Sequence, residues 1–286
     1  MTGKIFGIKF LAVIVGVAMA SVGSFVFLQD SEANVVEYDG PPKAVIIDQL
    51  YDEMKNEEFH EEAIGYLEKA GYQVDVFTTK DITVDFFKNL PQMNYEFVVI
   101  RTHGVADFGN ENSMLFTGET YSEEKYTAEQ LLSHVKRATP VYSLSFQAAD
   151  DSSEWVQINE TTSILRSPIK IEDNTTNEFF AITPKFVKEV MKGQFRNTVF
   201  LLGGCSTLSS PSMAQALIQR GASAVAGWDD QISSAENDYT LIKILENIFE
   251  KNLDLDAAID DSRSFFYGEF TENLPVEFLY YSQENI

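Results

Sequence analysis

The chain has only one cysteine, Cys205, and three histidines among its 286 residues. A lone cysteine excludes an internal disulfide, and these few cysteines and histidines show none of the spacings typical of metal sites. The sequence also lacks internal repeats and a glycine-rich loop of the kind that holds phosphates. It therefore predicts neither a metal nor any other cofactor.

Basic residues are scarce as well. Lysine and arginine total 21 against 44 aspartates and glutamates, so the formal net charge is −23 and the pI is near 4.4. Because nucleic-acid phosphates bind basic surfaces, this balance argues against a nucleic-acid partner. The acidic field favours solubility and attracts cationic peptides.

The first 30 residues have the pattern of a signal anchor or signal peptide. Lys4 and Lys9 precede an uncharged stretch over 10–28, which at about 1.5 Å per residue is just long enough to cross a bilayer core of about 30 Å. The basic flank stays in the cytoplasm, so we expect a single-pass protein of the cell membrane whose domain is extracytoplasmic. Small residues before Ser21 also resemble a cleavage site, and a secreted form is the alternative. A polar, acidic linker follows over 31–42.

Residues 43–286 are predicted to form one α/β domain. Apolar runs of strand length alternate with helix patterns in the order strand, helix, strand, helix, strand, which is typical of a mostly parallel sheet. Asn56 is a candidate N-cap and Gly71 a candidate stop for the first helix. The segment 106–195 is less regular and more polar, and we interpret it as an insertion.

Two histidines are predicted to lie at the surface. His60 falls off the apolar stripe of the first helix, and His134 falls on a helix expected from Thr127 to about Arg137. Within the insertion, strands are expected near 113–117, 141–146 and 155–158. Two N-glycosylation sequons, at Asn159 and Asn174, are compatible with an exported chain.

The third histidine and the cysteine share an unusual context. His103 and then Gly104 follow the apolar run 97–100, and Cys205 follows the run 199–202 and two glycines. Parallel neighbouring strands would bring both residues to the carboxyl edge of the sheet, where ligands bind in open α/β folds. An imidazole beside a thiol is the minimum set for nucleophilic catalysis. The alternative is that Cys205 is a small buried hydrophobe and His103 an unrelated hydrogen-bonding residue.

These motifs resemble the caspase-like cysteine peptidases of clan CD. The similar segments are F-V-V-I-R-T-H-G at 97–104, V-F-L-L-G-G-C-S-T at 199–207 and R-G-A-S-A-V-A-G-W-D-D at 220–230. The third segment is similar to the matching strand of separases and CHAT proteins, and the motif style is closest to gingipain, separase and CHAT-type domains. The resemblance covers about 43–266 and implies a caspase-like three-layer α/β sandwich with a mostly parallel central sheet.

The resemblance also implies site residues and an activity. Cys205 would be the nucleophile and His103 the general acid/base, with the backbone N–H groups of Gly104 and Cys205 holding the oxyanion. Trp228 would line the pocket for the residue before the scissile bond. Asp229 or Asp230 would pair there with an arginine or lysine. The expected function is a cysteine endopeptidase that cleaves peptides or proteins after a basic residue.

Two other functions remain open from the sequence. A catalytically silent domain of the same fold would act as a surface scaffold or binding module, and it would not need a reactive thiolate. An ordinary ligand-binding doubly wound domain would leave His103 and Cys205 far apart.

Overall fold

The computed structural model describes residues 40–107, 112–140, 155–157, 163–165, 177–269 and 276–286. Its twelve strands are β1 Lys43–Asp48, β2 Gln73–Thr78, β3 Phe97–Arg101, β4 Gly104–Asp107, β5 Asn112–Thr120, β6 Val135–Ala138, β7 Trp155–Gln157, β8 Ser163–Leu165, β9 Phe179–Ile182, β10 Thr198–Gly203, β11 Ala222–Trp228 and β12 Phe278–Ser282. Its seven α-helices are α1 Glu57–Lys69, α2 Val84–Asn89, α3 Thr127–Leu131, α4 Pro184–Glu189, α5 Ser212–Gln219, α6 Ser234–Phe249 and α7 Leu255–Glu269.

The central sheet has six strands in the order β12-β11-β10-β3-β1-β2. Five of them run parallel, and only β12 pairs antiparallel, with β11. The predicted α/β fold with a mostly parallel central sheet is therefore confirmed. Four of the parallel strands, β1, β3, β10 and β11, are nearly continuous apolar runs because both of their faces are buried. The edge strand β2, Q-V-D-V-F-T, alternates and is only partly buried.

Helices cover the two faces of this sheet. Alternate residues of each strand face opposite layers, so Ile46 packs with Phe59 of α1 while Val45 packs with Phe87 of α2. Helices α1, α6 and α7 form one outer layer, and α2, α4 and α5 lie on the other face. Each fully buried large apolar side chain contributes about 1.5–3 kcal/mol. The arrangement is compatible with the three-layer sandwich that the sequence predicts.

The first helix begins and ends where the sequence indicates. The side chain of Asn56 accepts a hydrogen bond from the N–H of Phe59, 3.1 Å away. Gly71 follows the helix with a φ of +92°, a conformation that glycine adopts without strain.

The insertion contains a second sheet, with the order β4-β5-β9-β6, and a separate β7-β8 pair. The predicted strand near 113–117 is confirmed as part of β5, and the one near 155–158 as β7. The helix predicted over 127–137 is wrong beyond Leu131: Ser133 adopts a φ of +59°, and 135–138 form β6 against β9. Local periodicity missed this strand because its partner β9 lies more than 40 residues later. The strand predicted near 141–146 lies outside the described residues.

The described residues belong to one compact unit, Asp39–Ile286. No helix within them has the length and apolar character needed to cross a bilayer. The stretch predicted to do so, residues 10–28, and the sequons at Asn159 and Asn174 lie outside the described residues.

Candidate active site

The carboxyl ends of three neighbouring strands define the candidate site. In the register of the sheet, Asp48 of β1 is the partner of Arg101 of β3, and Arg101 is the partner of Gly203 of β10. His103 and Cys205 each follow this aligned pair by two residues. Since paired strands lie about 4.8 Å apart, the prediction that both residues reach the same sheet edge is confirmed.

Beyond the ends of β3 and β10, backbone contacts hold the segments 102–104 and 203–205 together. The N–H of Thr102 donates to the carbonyl of Gly203 at 2.8 Å. A Cβ at Gly104 would lie 2.2 Å from the carbonyl oxygen of Cys205, and one at Gly204 would lie 2.1 Å from that of Thr102. Both positions therefore require glycine, because backbone atoms of the other segment occupy the space that a side chain would fill.

His103 is held by two residues that follow β1. Its backbone N–H donates to Oε1 of Gln49 at 2.9 Å, and its Nε2 lies 2.9 Å from Oε2 of Glu53. The imidazole is mostly buried and lies beside the ring of Phe116. A carboxylate on a histidine ring fixes its orientation and stabilises the imidazolium form.

Gln49 and Glu53 were missed by the sequence interpretation. The available signal was the position of Gln49, which directly follows a strand that ends at the same edge as β3. Glu53 carries no such signal, because a loop residue of this kind is placed only by the tertiary fold.

Beneath the site, Arg101 is fully buried in an ion-pair network. Its guanidinium donates to both carboxylate oxygens of Asp238, at 2.7 and 2.9 Å, and to Oδ1 of Asp48 at 3.0 Å. It also donates to the carbonyl of Met54 at 2.7 Å, next to Glu53. Arg101 thus points inward and ties the loop after β1 to α6.

The prediction that His60 and His134 are surface residues is wrong for both. Nε2 of His60 lies 2.8 Å from Oδ2 of Asp48, and its ring stacks on Tyr51. Nε2 of His134 lies 2.8 Å from Oε2 of Glu189. Helical periodicity shows the core-facing stripe of one helix, but not a second element that covers another side.

Cys205 is half-buried in a strained turn. Its thiol donates to the carbonyl of Ile232 at 3.3 Å, and the N–H of Ile232 donates to the sulfur at 3.5 Å. Burial raises the pKa of the Cys205 thiol, the N–H groups of Ile232 and Cys205 lower it, and Asp230 raises it further. Ser206, the next residue, has a φ of +53°, which is uncommon outside glycine and marks functional turns.

The backbone N–H of Gly104, the expected oxyanion donor, does not bond to the neighbouring strand β5. The N–H of Phe116 donates to the carbonyl of His103 at 3.1 Å, so Gly104 and Leu115 form a non-hydrogen-bonded pair of the β4-β5 ladder. In such a pair both N–H groups point away from the partner strand. The N–H of Gly104 is therefore directed away from β5, and the N–H of Cys205 faces its own sulfur.

Trp228 does not occupy the position expected for it. Its side chain is 4% exposed, its indole N–H donates to Oδ1 of Asn237 at 2.9 Å, and its ring packs edge-on against Phe278. The expected role in a substrate pocket is corrected to a core role in this structure. The alternating pleat of β11 turns the indole towards α6 and β12.

The two acids after Trp228 differ in their surroundings. Asp229 accepts the N–H of Glu277 at 2.7 Å, and burial raises the pKa of its carboxyl. Asp230 is exposed, and its backbone carbonyl accepts the N–H of Ser206 at 2.9 Å. Asp230 is thus the acid whose carboxylate is both exposed and close enough to Cys205 to influence the thiol.

The described residues contain no group of three or more histidine, cysteine or carboxylate side chains arranged to hold a metal ion. What the arrangement offers chemically is a thiol, an imidazole with a carboxylate partner, and backbone N–H donors at one sheet edge. No protein-family model matches the chain, and a search of curated proteins found no match to it.

Proposed function

We propose that the chain is a caspase-like cysteine endopeptidase that uses Cys205 and His103, anchored to the cell membrane through its N-terminal residues. The observation that carries this proposal is the register of β3 and β10. It sets His103 and Cys205 equally far beyond one aligned pair, while Glu53 supplies a carboxylate to the imidazole. The sequence resemblance implies the same roles for the same two residues.

In the first chemical step, His103 takes the proton of the Cys205 thiol and the sulfur attacks the carbonyl carbon of the scissile peptide bond. The new S–C bond pushes the carbonyl electrons onto oxygen. The N–H groups of Gly104 and Cys205 stabilise this oxyanion, and each such donor contributes about 3–4 kcal/mol in other acyl-transfer enzymes. Glu53 stabilises the imidazolium that forms.

The intermediate then collapses and the C–N bond breaks. His103 donates its proton to the leaving amine, which leaves a thioester on Cys205. In the second half, His103 takes a proton from water as the water attacks the thioester carbonyl. The sulfur leaves and regains a proton, the acid product departs, and both side chains return to their starting states.

The proposed substrate has a basic residue before the scissile bond. Asp230 is the acid that fits this role, because it is exposed and its charge acts on the thiol, whereas Asp229 is partly buried. Each carboxylate accepts one backbone N–H, that of Gln231 for Asp230 and that of Glu277 for Asp229, so exposure is what distinguishes the two acids. A guanidinium or ammonium group would pair with it. The formal charge of −23 adds a long-range attraction for cationic peptides.

In the resting state the thiol is capped by Ile232. The substrate carbonyl must reach the sulfur, so the segment 229–233 has to shift when substrate binds. Closure around substrate is common in enzymes and excludes water from the reaction.

The second candidate function is a catalytically silent module of the same fold. Two observations favour it: the pKa of the Cys205 thiol is raised, and the sulfur is engaged by Ile232. A peptidase needs an accessible thiolate during turnover, whereas a scaffold does not.

Active-site labelling separates the two functions. The full-length chain is incubated with a peptidyl-arginine chloromethyl ketone or its aspartyl analogue, and the intact mass and modified peptide are measured. The proposal expects a single adduct on Cys205 from the arginyl reagent, lost in His103→Ala, and no peptidase activity in Cys205→Ala. Full activity in Cys205→Ala contradicts the mechanism, and labelling by the aspartyl reagent instead contradicts the basic preference. Absence of any adduct favours the silent module.

A further inference from the structure

The strand that begins next to His103 lies at the end of its sheet. Among the described residues, β4 is the outermost strand of the four-stranded sheet and pairs only with β5. Because the ladder pairs alternate, the N–H and C=O groups of Gly104 and Ala106 point away from β5. No other described residue makes a backbone hydrogen bond to these groups, and both residues are partly exposed. An edge of this kind is a template for an added strand.

We propose that β4 binds the part of a peptide substrate that follows the scissile bond, as an added parallel strand. This inference rests on the proposed peptidase function and specifies how that site holds its substrate. The partner is an extended polypeptide bound through its main chain, a recognition mode known as β-augmentation.

The chemistry sets the direction of the peptide. His103 must protonate the amine of the leaving group, so the chain on that side of the bond lies next to His103. Strand β4 begins one residue later. Asp230 follows β11, which lies on the other side of β10 from β3. Pairing with Asp230 therefore assigns the residue before the scissile bond to the β11 side of Cys205. The two halves of the substrate are thereby assigned to different strands.

The register follows from the oxyanion donor. The N–H of Gly104 that holds the oxyanion is also the first outward donor of β4. In a parallel ladder, the carbonyl of Gly104 then accepts the N–H of the second residue after the bond, and the N–H of Ala106 donates to that residue's carbonyl. Both contacts are to the main chain, so they select an extended backbone rather than a sequence.

The test removes one outward N–H and leaves the β4-β5 ladder intact. Ala106→Pro deletes the outward N–H at a position where edge strands tolerate proline, and Ala106→Gly retains it as the matched control. Two substrates are compared in the full-length chain: an internally quenched peptide with arginine before the bond and four residues after it, and an arginyl aminocoumarin amide with none. We expect Ala106→Pro to lower kcat/KM for the quenched peptide about fivefold to tenfold, the size of one hydrogen bond. The aminocoumarin amide should be cleaved at the unchanged rate.

A second arm does not depend on the variant folding. In the unsubstituted chain, N-methylation of the quenched peptide at the second residue after the bond should lower kcat/KM by a similar factor. N-methylation of the peptide four residues before the bond should leave kcat/KM unchanged. A third arm measures binding of a fluorescein-labelled copy of the peptide to Cys205→Ala by anisotropy, which requires no turnover. The dissociation constant should rise on N-methylation.

The outcomes also separate this inference from the proposed function. Binding along β4 is overturned if Ala106→Pro lowers kcat/KM equally for both substrates or for neither. It is also overturned if the methylated peptide is cleaved and bound like its parent. If Cys205 is still labelled and still required for activity, the peptidase proposal holds although the added strand does not form. Activity that survives in Cys205→Ala overturns the peptidase proposal itself. Absence of measurable binding to Cys205→Ala overturns the added strand without bearing on the chemistry.

Discussion

The thiol of Cys205 donates a hydrogen bond to the carbonyl oxygen of Ile232, 3.3 Å from the sulfur. A carbonyl oxygen can accept this bond only while the thiol is protonated. Burial raises the pKa of the thiol, and the negative charge of Asp230 acts in the same direction. The resting structure therefore holds Cys205 in its neutral, less nucleophilic form.

The first prediction concerns the pH dependence of alkylation. A raised pKa means that the thiolate fraction grows only at higher pH, so the rate of modification of Cys205 by iodoacetamide should rise with a midpoint above the ordinary range of a cysteine thiol. The second-order rate constant, measured from pH 6 to 10 by mass spectrometry, checks this. A midpoint at or below neutrality would show instead a preformed thiolate paired with His103. Cys205→Ala is the control for modification elsewhere.

The second prediction concerns Gly104. In Gly104→Ala the new methyl group would lie 2.2 Å from the carbonyl oxygen of Cys205, which is backbone and has no rotamer through which to escape. We expect a loss of about 1–3 kcal/mol in the free energy of unfolding, typical of overpacking, and at least a tenfold loss of peptidase activity. Urea unfolding and peptide cleavage are the measurements.

The matched control for Gly104 is Gly65→Ala on α1. A Cβ at Gly65 has no neighbour within 4 Å. Alanine is the better helix former, so this variant should gain up to about 1 kcal/mol. Equal stability of the two alanine variants would show that the segments around Gly104 and Cys205 move apart freely.

The third prediction concerns the ion pairs beneath the site. Arg101→Met leaves the carboxylates of Asp48 and Asp238 buried without their guanidinium partner, and removal of one member of a buried pair costs about 3–5 kcal/mol. Arg137→Met is the control, because its pair with Glu178 is exposed and 3.7 Å long. Exposed pairs contribute about 0–1 kcal/mol. Chemical denaturation of both variants measures the difference, and similar midpoints would contradict a structural role for the network.

The fourth prediction assigns Gln49 a positioning role. Its Oε1 is the acceptor for the backbone N–H of His103 at 2.9 Å. In Gln49→Met this buried N–H loses its partner, at a cost of about 1–3 kcal/mol. We expect kcat to fall about tenfold or more while KM changes little, because the imidazole is misplaced but the substrate contacts remain.

A conservative variant distinguishes positioning from general destabilisation. Gln49→Glu retains the acceptor oxygen, so it should restore most of kcat. Its negative charge favours the imidazolium form of His103 and should move the acidic limb of the pH–rate profile to higher pH. If methionine and glutamate lower kcat equally at every pH, the hydrogen bond to His103 does not matter for catalysis.

The fifth prediction separates the two acids after β11. Asp230→Asn should lower kcat/KM for arginyl substrates about tenfold or more relative to uncharged ones, because it removes the exposed carboxylate beside the thiol. Asp229→Asn should act mainly on stability, since its carboxylate accepts the N–H of Glu277, the residue directly before β12. Competition between peptides with arginine or norleucine before the bond gives the selectivity. Loss of selectivity only in Asp229→Asn would reverse the assignment.

Sequence alone determined the parts of the fold that depend on local chemistry. The parallel sheet followed from apolar runs such as 97–100 and 199–202, because a strand covered on both faces is largely apolar. Asn56 and Gly71 marked helix ends through their own side-chain and backbone properties. The position of His103 and Cys205 at one edge of the sheet was also predictable, since neighbouring parallel strands end at a common edge.

Only the tertiary structure decided what surrounds these residues. Glu53, Gln49 and Ile232 reach the site from loops whose positions depend on contacts across the fold. The burial of His60, His134 and Trp228 has the same origin, because each is covered by an element distant in sequence. Periodicity reports which face of one element is apolar, and it carries no information about the second element that packs there. The placement of Cys205 and His103 at one sheet edge was therefore predictable, and the groups that position and cap them were not.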